Sequence, residues 1–374
     1  MSPQAGQSSL KYSQTTAPFC VCGRGRKNKG GICLVRSQKK GVLLSLLSGI
    51  LWAAYSVTLY SWLSPYNGDS GTLDSARGVM FIILAAIGIA WIDALITFVF
   101  EVGYVAKRGK LKEYLRLLRT KAFFRIMPAA LFAGPLGLVP FAIASRYSVS
   151  VATSISAFYP ALGSIIAMFW FKEKLTPFKF VGILFSISGV VVISGFSGLH
   201  PVGIFLAVFA SVGYSLELVF GYRLMAEDVD SDVSLALKQT SAIALYTIML
   251  AVLLLIPGNW AFFTNLVRMI DFSTAYSFTQ GMLGNPLLIS LVFILASFFN
   301  AMAYVCYFGG MNNCGVSTAS SLNIAYGIWT ILILALPPFF TAPSVSGLIG
   351  AVLTFVGSTI VIVESNRIQK KAEQ

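Results

Sequence analysis

Charge is scarce in this sequence. Of its 374 residues only 11% are Asp, Glu, Lys or Arg, and 56% are hydrophobic; soluble domains carry about 25% charged residues. So few charges do not solvate a globule of this size, and they suit a chain whose solvent is mostly lipid. Histidine is limited to His200, and five cysteines are present. There is no His-based dyad, no metal-ligand spacing and no GxxxxGK phosphate loop, so the chain reads as no enzyme, with no cofactor, no metal and no ATP-driven motor. Cys20, Cys22 and Cys33 lack a fourth zinc ligand and read as reduced thiols, while Cys306 and Cys314 lie in or beside apolar segments. Acidic residues number 14 against 27 Lys and Arg, a net charge of +13. Nucleic acid is excluded as the partner, because the basic residues cluster at the ends of apolar runs. That is where they fix the loops of a membrane protein.

Residues 1–40 contain no acidic residue and include Arg24, Arg26, Lys27, Lys29, Arg36, Lys39 and Lys40. With no apolar stretch to serve as a signal core, they read as a disordered basic cytoplasmic tail, or alternatively as an organelle transit peptide. A helix needs about 20 apolar residues to cross the hydrocarbon core. Ten runs qualify, at 41–62, 78–102, 123–144, 148–171, 178–196, 202–222, 239–257, 286–309, 316–336 and 345–363. The tail, the 107–121 loop, Lys172 with Lys174, and Arg367 with Lys370 and Lys371 then fall on one side, the cytoplasm. The 62–77 loop, with Asn67, Asp69 and Asp74, falls outside. The 223–238 loop is an exception, cytoplasmic yet carrying Glu227, Asp228, Asp230 and Asp232; acids weigh little in this rule. Segment 107–121 predicts an amphipathic surface helix, with 259–283 as its outer counterpart. Residues 366–374 form a short cytoplasmic tail.

An internal repeat sets the expected architecture. VSVATSISAFYP at 149–160 aligns with VSTASSLNIAYG at 316–327, 167 residues on, matching Val149, Ser150, Ala152, Ser154 and Tyr159 to Val316, Ser317, Ala319, Ser321 and Tyr326. One residue further out of register, Gly182 and Gly189 fall on Gly350 and Gly357; Gly41 and Trp52 fall opposite Gly203 and Tyr214. The expected fold is an all-α membrane protein, ten transmembrane helices as two inverted five-helix repeats at 41–198 and 199–365. Five is odd, so the second half sits upside down, a recurring device of secondary transporters.

Acidic residues inside membrane helices are costly and usually face a cavity. Asp93 and Glu217 stand out. For Asp93 two readings stay open, a buried carboxyl bonded to a neighbouring helix or a functional group. Glu101 and Arg125 lie near helix ends, where snorkelling accounts for them. Glu217 has aromatic company: Tyr214 lies on its own helix face, Asn300, Tyr304 and Tyr307 share another, Asn323, Tyr326 and Trp329 a third, and Trp52 with Tyr55 a fourth. Desolvated rings attract cations and form cages for quaternary ammonium groups. A small organic cation is thus the expected substrate, with Trp52, Tyr214, Glu217, Asn300, Tyr304, Asn323, Tyr326 and Trp329 as binding residues. A coupling proton, if one is used, falls to Asp93 or Glu217.

The stretch FWFKEKLTPFKFVGILFSISGVVVISG at 169–195, with the two five-helix halves, resembles the EamA-type branch of the drug/metabolite transporter superfamily over residues 41–365. Its turn motif is Glu173, Lys174, Leu175 and Thr176; the second half departs from it, with Thr341 where Glu173 stands. Within that superfamily, LFAGPLGLVPFAIASRY, SAFYPALGSIIAMF, SLNIAYGIWTIL and the Tyr214–Glu217 pair are similar to bacterial choline permeases. The resemblance implies choline held by Trp52, Tyr214, Tyr304, Tyr326 and Trp329 with Glu217 nearby. Tyr214 stands where tryptophan is expected and Asn300 where aspartate is, and the N-terminal tail is outside the pattern. The resulting expectation is secondary uptake of choline or a related quaternary ammonium compound through a bacterial inner membrane, both termini cytoplasmic, with an organellar membrane as the other location. The rivals are export of an amino acid, purine or drug by the same fold, and a membrane scaffold or sensor that moves nothing.

Overall fold

The computed structural model describes residues 37–63, 76–147, 152, 155–156, 158–171, 175–194, 200–226, 229–257, 259–260, 286–336 and 345–373. Helix is found in each of the ten apolar runs, and no strand occurs among the described residues. In chain order the helices are α1 (Gln38–Leu63), α2 (Ala76–Lys107), α3 (Leu111–Leu117), α4 (Lys121–Ala133), α5 (Val139–Tyr147), α6 (Tyr159–Phe171), α7 (Pro177–Ser194), α8 (Pro201–Ala226), α9 (Ser231–Leu254), α10 (Pro286–Cys314), α11 (Val316–Asn323), α12 (Tyr326–Ala335) and α13 (Val345–Glu373). Six stretches are long and apolar enough to cross a membrane: Ala86–Lys107, Lys121–Phe141, Pro201–Met225, Ser231–Leu254, Phe293–Cys314 and Val345–Glu364. That is the signature of a multi-pass membrane protein. Its outer faces carry exposed Phe205, Ile248, Val252, Leu348, Val352 and Phe355, side chains that lipid solvates and water does not.

Helix starts follow local chemistry. Proline opens α7, α8 and α10, where its missing N–H costs nothing. Thr120 caps α4 by accepting from Ala122 N at 3.2 Å, and Asp230 caps α9 by accepting from Asp232 N at 2.9 Å. Gly109 and Gly315, at φ 73° and 83°, make the turns after α2 and α10 that side chains resist.

Several boundaries differ from the sequence expectation. The run expected at 239 begins at Ser231, because the Asp230 cap lets the helix start before the apolar stretch. Lys238 is therefore a helix residue rather than a loop residue. Between α4 and α5 the chain takes a π-helical turn at Gly134–Leu138. Pro135 has no N–H to offer the regular ladder there, and Gly134 and Gly137 admit the rings of Tyr246 and Tyr214, which a Cβ would strike. The run expected at 316–336 is broken between Asn323 and Tyr326. Ser320 and Ser321 hydroxyls bond back to the Val316 and Ser317 carbonyls at 2.8 and 2.6 Å, and such back-bonding bends helices. α13 stays helical to Glu373, through the segment expected to be a tail. The expected surface helix at 107–121 contains α3, whose Tyr114 is buried. Residues 1–36, 64–75 and 261–285, and with them most of the tail, the 62–77 loop and the 259–283 segment, lie outside the described residues.

Glycine draws α7 and α13 into contact. A Cβ at Gly182 would stand 2.8 Å from the Gly357 carbonyl oxygen, and one at Gly189 would strike the Gly350 carbonyl. The sequence offset that carries Gly182 to Gly350 and Gly189 to Gly357 exchanges these two contacts. It also carries Ser186 to Thr354, and these two bond reciprocally: Ser186 Oγ donates to the Thr354 carbonyl and Thr354 Oγ1 to the Ser186 carbonyl, each at 3.4 Å. A local two-fold relation between α7 and α13 thus runs between Ser186 and Thr354. α1 lies along α10 in the same close fashion, with Gly41 against Cys314 and Gly310 against Ser45.

Candidate functional site

Helical rise, about 1.5 Å per residue, sets the depth of the charged groups. Glu217 is nine residues from the end of α8, and Lys238 seven from the start of α9. Asp93 is fourteen residues from the end of α2, and Trp52 fourteen from the start of α1. All four helix ends belong to the side that carries the 107–121 basic segment. The groups therefore sit roughly 10–20 Å along their helices from those ends.

Glu217 is buried and ion-paired with Lys238, itself buried on α9. The Lys238 ammonium also lies 3.7 Å from the centroid of the Tyr304 ring and 5.5 Å from that of Phe308. Lys238 is not among the expected binding residues, and it gives Glu217 a counter-charge. Lys238 escapes a sequence reading in which 223–238 is a loop. The signal that exposes it is Asp230, an N-cap residue that starts the helix seven residues before the lysine.

The rings continue from the ion pair. Tyr304 meets Trp52 edge-on at 5.1 Å, and Trp52 meets Tyr55 at 6.1 Å. The Tyr55 hydroxyl donates to Asp93 Oδ2 at 3.4 Å, closing a path from Glu217 to the second acid. Asp93 also accepts from Ser297 at 2.7 Å and from Asn300 Nδ2 at 2.8 Å, so it is a buried carboxyl bonded to a neighbouring helix. Asn300 thus faces Asp93 rather than Glu217. Tyr214 packs against Tyr159 at 6.0 Å and Phe141 at 6.4 Å, over Gly137 of the π-helical turn. Tyr159 opens α6 and Tyr326 opens α12, and the two stand 167 residues apart in the aligned segments. Asn323 is buried at the end of α11, beside Gly49 of α1, and Trp329 is half-buried on α12 one turn past its first residue.

Three buried polar atoms at this centre have no hydrogen-bond partner among the described residues: Trp52 Nε1, Asn300 Oδ1 and Asn323 Oδ1. One donor and two acceptors left without water are costly unless something else pairs with them. Glu101 is a further finding. It does not snorkel: it is 1% exposed, and neither carboxylate oxygen has a hydrogen-bond partner among the described residues. Arg125, by contrast, is exposed, in keeping with its position at a helix end.

At the end of the bundle nearest α3, Asp230 and Asp232 of the 223–238 segment find their partners, while Glu227 and Asp228 lie outside the described residues. Lys110 Nζ bonds Asp230 and Asp232, each at 2.7 Å, and Arg108 lies 3.6 Å from Asp232. These acids neutralise basic neighbours, which resolves their place on a basic side. Burial works against the Lys110 charge, but the two carboxylates outweigh it and hold the ammonium above its usual range. Burial pushes the nearby Tyr114 hydroxyl up as well. Arg108, Lys110, Asp230 and Asp232 line a cavity of about 290 Å³ with Lys40, Asn312 and Asn313.

No protein-family model matches the chain, and no curated protein matches it either. A solved structure described only as "Crystal structure of protein" is similar in fold, with a TM-score of 0.61 at 19% identity, over 89% of this chain and 99% of the other. At that identity the likeness is one of fold alone.

Proposed function

We propose that this protein is a secondary transporter that takes up choline or a related quaternary ammonium compound by alternating access. On this reading ten membrane helices form two inverted five-helix halves in a bacterial inner membrane, with both termini cytoplasmic. Support for the halves comes from the aligned segments, from the exchanged contacts of α7 and α13, and from helices that start at Tyr159 and Tyr326, matched positions of the repeat. Interrupted helices at matched positions are where such carriers build their substrate sites.

The observation that carries the cargo is the seat of the Lys238 ammonium, over the Tyr304 ring and beside Glu217. A ring face with one carboxylate in a water-poor interior is an ammonium site. A quaternary ammonium donates no hydrogen bonds, so rings and a counter-charge are all it needs. Uptake of labelled choline into proteoliposomes, competed with betaine, carnitine and neutral metabolites, tests this. Competition by quaternary ammonium compounds is expected, and competition by neutral solutes alone contradicts it.

A second reading has its own observation. Lys238 and Glu217 offer opposite charges side by side, which also matches a zwitterion, so export of an amino acid by the same fold is the alternative. Competition by primary zwitterions but not by choline is the outcome it requires.

A further inference from the structure

On the reading that the aromatic cage takes a cationic substrate, we infer that Glu101 is the second counter-ion of Lys238: when the substrate takes Glu217, the lysine ammonium moves to Glu101. Charge balance calls for such a group. Glu217 and Lys238 cancel, so an arriving cation leaves one positive charge unmatched in a low-dielectric interior unless another carboxylate answers it.

Two further carboxyl groups are buried on α2, Asp93 and Glu101. Asp93 is committed, its oxygens accepting from Ser297, Asn300 and Tyr55. Glu101 is not committed: both oxygens are buried without a hydrogen-bond partner among the described residues. A carboxyl group stripped of water and given nothing in return keeps its proton, so Glu101 ionises only as the ammonium arrives, and the proton it releases to solvent balances the charge the substrate brings in. Register brings the lysine within range. α2 and α10 are joined where Asp93 meets Ser297 and Asn300, and one turn on where Thr97 meets the Ser297 carbonyl at 3.4 Å. Glu101 is a further turn along α2, level with Tyr304, whose ring already holds the Lys238 ammonium. α9, which carries the lysine, is pinned to α2 by Gln239 Nε2 donating to the Ala94 carbonyl at 3.0 Å. A lysine swings on a flexible four-carbon stem, which lets its ammonium be the part that moves.

The test is equilibrium binding of choline to the full chain in lipid nanodiscs, for wild type, Glu101→Gln, Lys238→Met and the double variant. Glu101→Gln strands the lysine on Glu217, so choline binds about tenfold more weakly or worse, a typical size for coupling between sites. Lys238→Met removes the competitor and binds choline more tightly than wild type, and adding Glu101→Gln to it changes nothing further. Glu101→Gln with wild-type affinity overturns the switch and leaves the cation reading standing. A Glu101→Gln loss that persists in the Lys238→Met background marks a packing effect and also overturns it. Wild-type protein that binds no choline removes the cation reading and the switch together. Lys238→Met that binds choline no more tightly than wild type overturns the switch on its own, so the failure of one single variant to fold leaves the other to decide.

Discussion

Cation–π attraction strengthens as both partners leave water, from about 0.5–1 kcal/mol at exposed sites to about 2 kcal/mol or more when desolvated. At Tyr304 both are buried or nearly so, and the lysine stands at 3.7 Å. Tyr304→Phe keeps the ring face and is expected to retain most choline uptake. Tyr304→Leu loses the ring and about 2 kcal/mol of it, read as a rise in the KM for uptake; equal KM values in the two variants would show that the ring face contributes nothing. Composition and spacing pick out a lone acid among apolar residues and rings on one helix face, because both are visible as pattern. They do not reveal pairing. Lys238 is hidden because the apolar run starts only after it, and Asn300 falls among the rings by spacing although its amide serves Asp93. Glu101 shows the same limit: proximity to a helix end suggests snorkelling, and only the packing of α2 against α9 and α10 shows that its carboxyl does not reach water.

Among the elements, the α2–α3 corner is tied to the start of α9 by Lys110, Asp230 and Asp232. The Lys110 ammonium is held above its usual value of 10.5. A group whose folded-state value is raised gives its stabilisation in full below the unfolded value and loses it as pH climbs through the folded one. The thermal midpoint of Lys110→Met is therefore expected to fall below that of wild type at pH 7, and the two midpoints to converge above the usual lysine range; a gap that persists there contradicts the clamp. The α7–α13 contact is the other element-scale device. Any side chain at Gly182 meets the Gly357 carbonyl at 2.8 Å and Val361 at 2.9 Å. Gly182→Leu is expected to part the two helices and to lower the thermal midpoint far more than Gly103→Leu, since nothing lies within 4 Å of a Cβ at Gly103. Similar losses at both sites would mean that the glycine contact is not what joins the helices. Paired glycines are legible in the sequence as repeat positions, but not as the surface on which two helices touch. The break after Asn323 is not legible either, since an apolar run reads as one helix until its serine hydroxyls are seen competing for the carbonyls.

Across the whole molecule, three features point inward to one centre: the ion pair of Glu217 and Lys238, the rings that run from Tyr304 through Trp52 to Tyr55, and the helices interrupted at Asn323 and at the π-helical turn. Apolar runs and loop charge carry the membrane assignment, since lipid and the positive-inside rule act on composition alone. The chemistry at the centre depends on contacts between residues far apart in the chain, which composition does not encode. The most direct measurement on the central claim is the thermal shift of the purified full chain with rising choline, for wild type and Glu217→Gln, because a ligand that binds the folded state raises its apparent stability. A dose-dependent rise in wild type that disappears in Glu217→Gln is the predicted result. An equal rise in both, or a rise produced by neutral metabolites and not by choline, would contradict a cation held by rings and one glutamate.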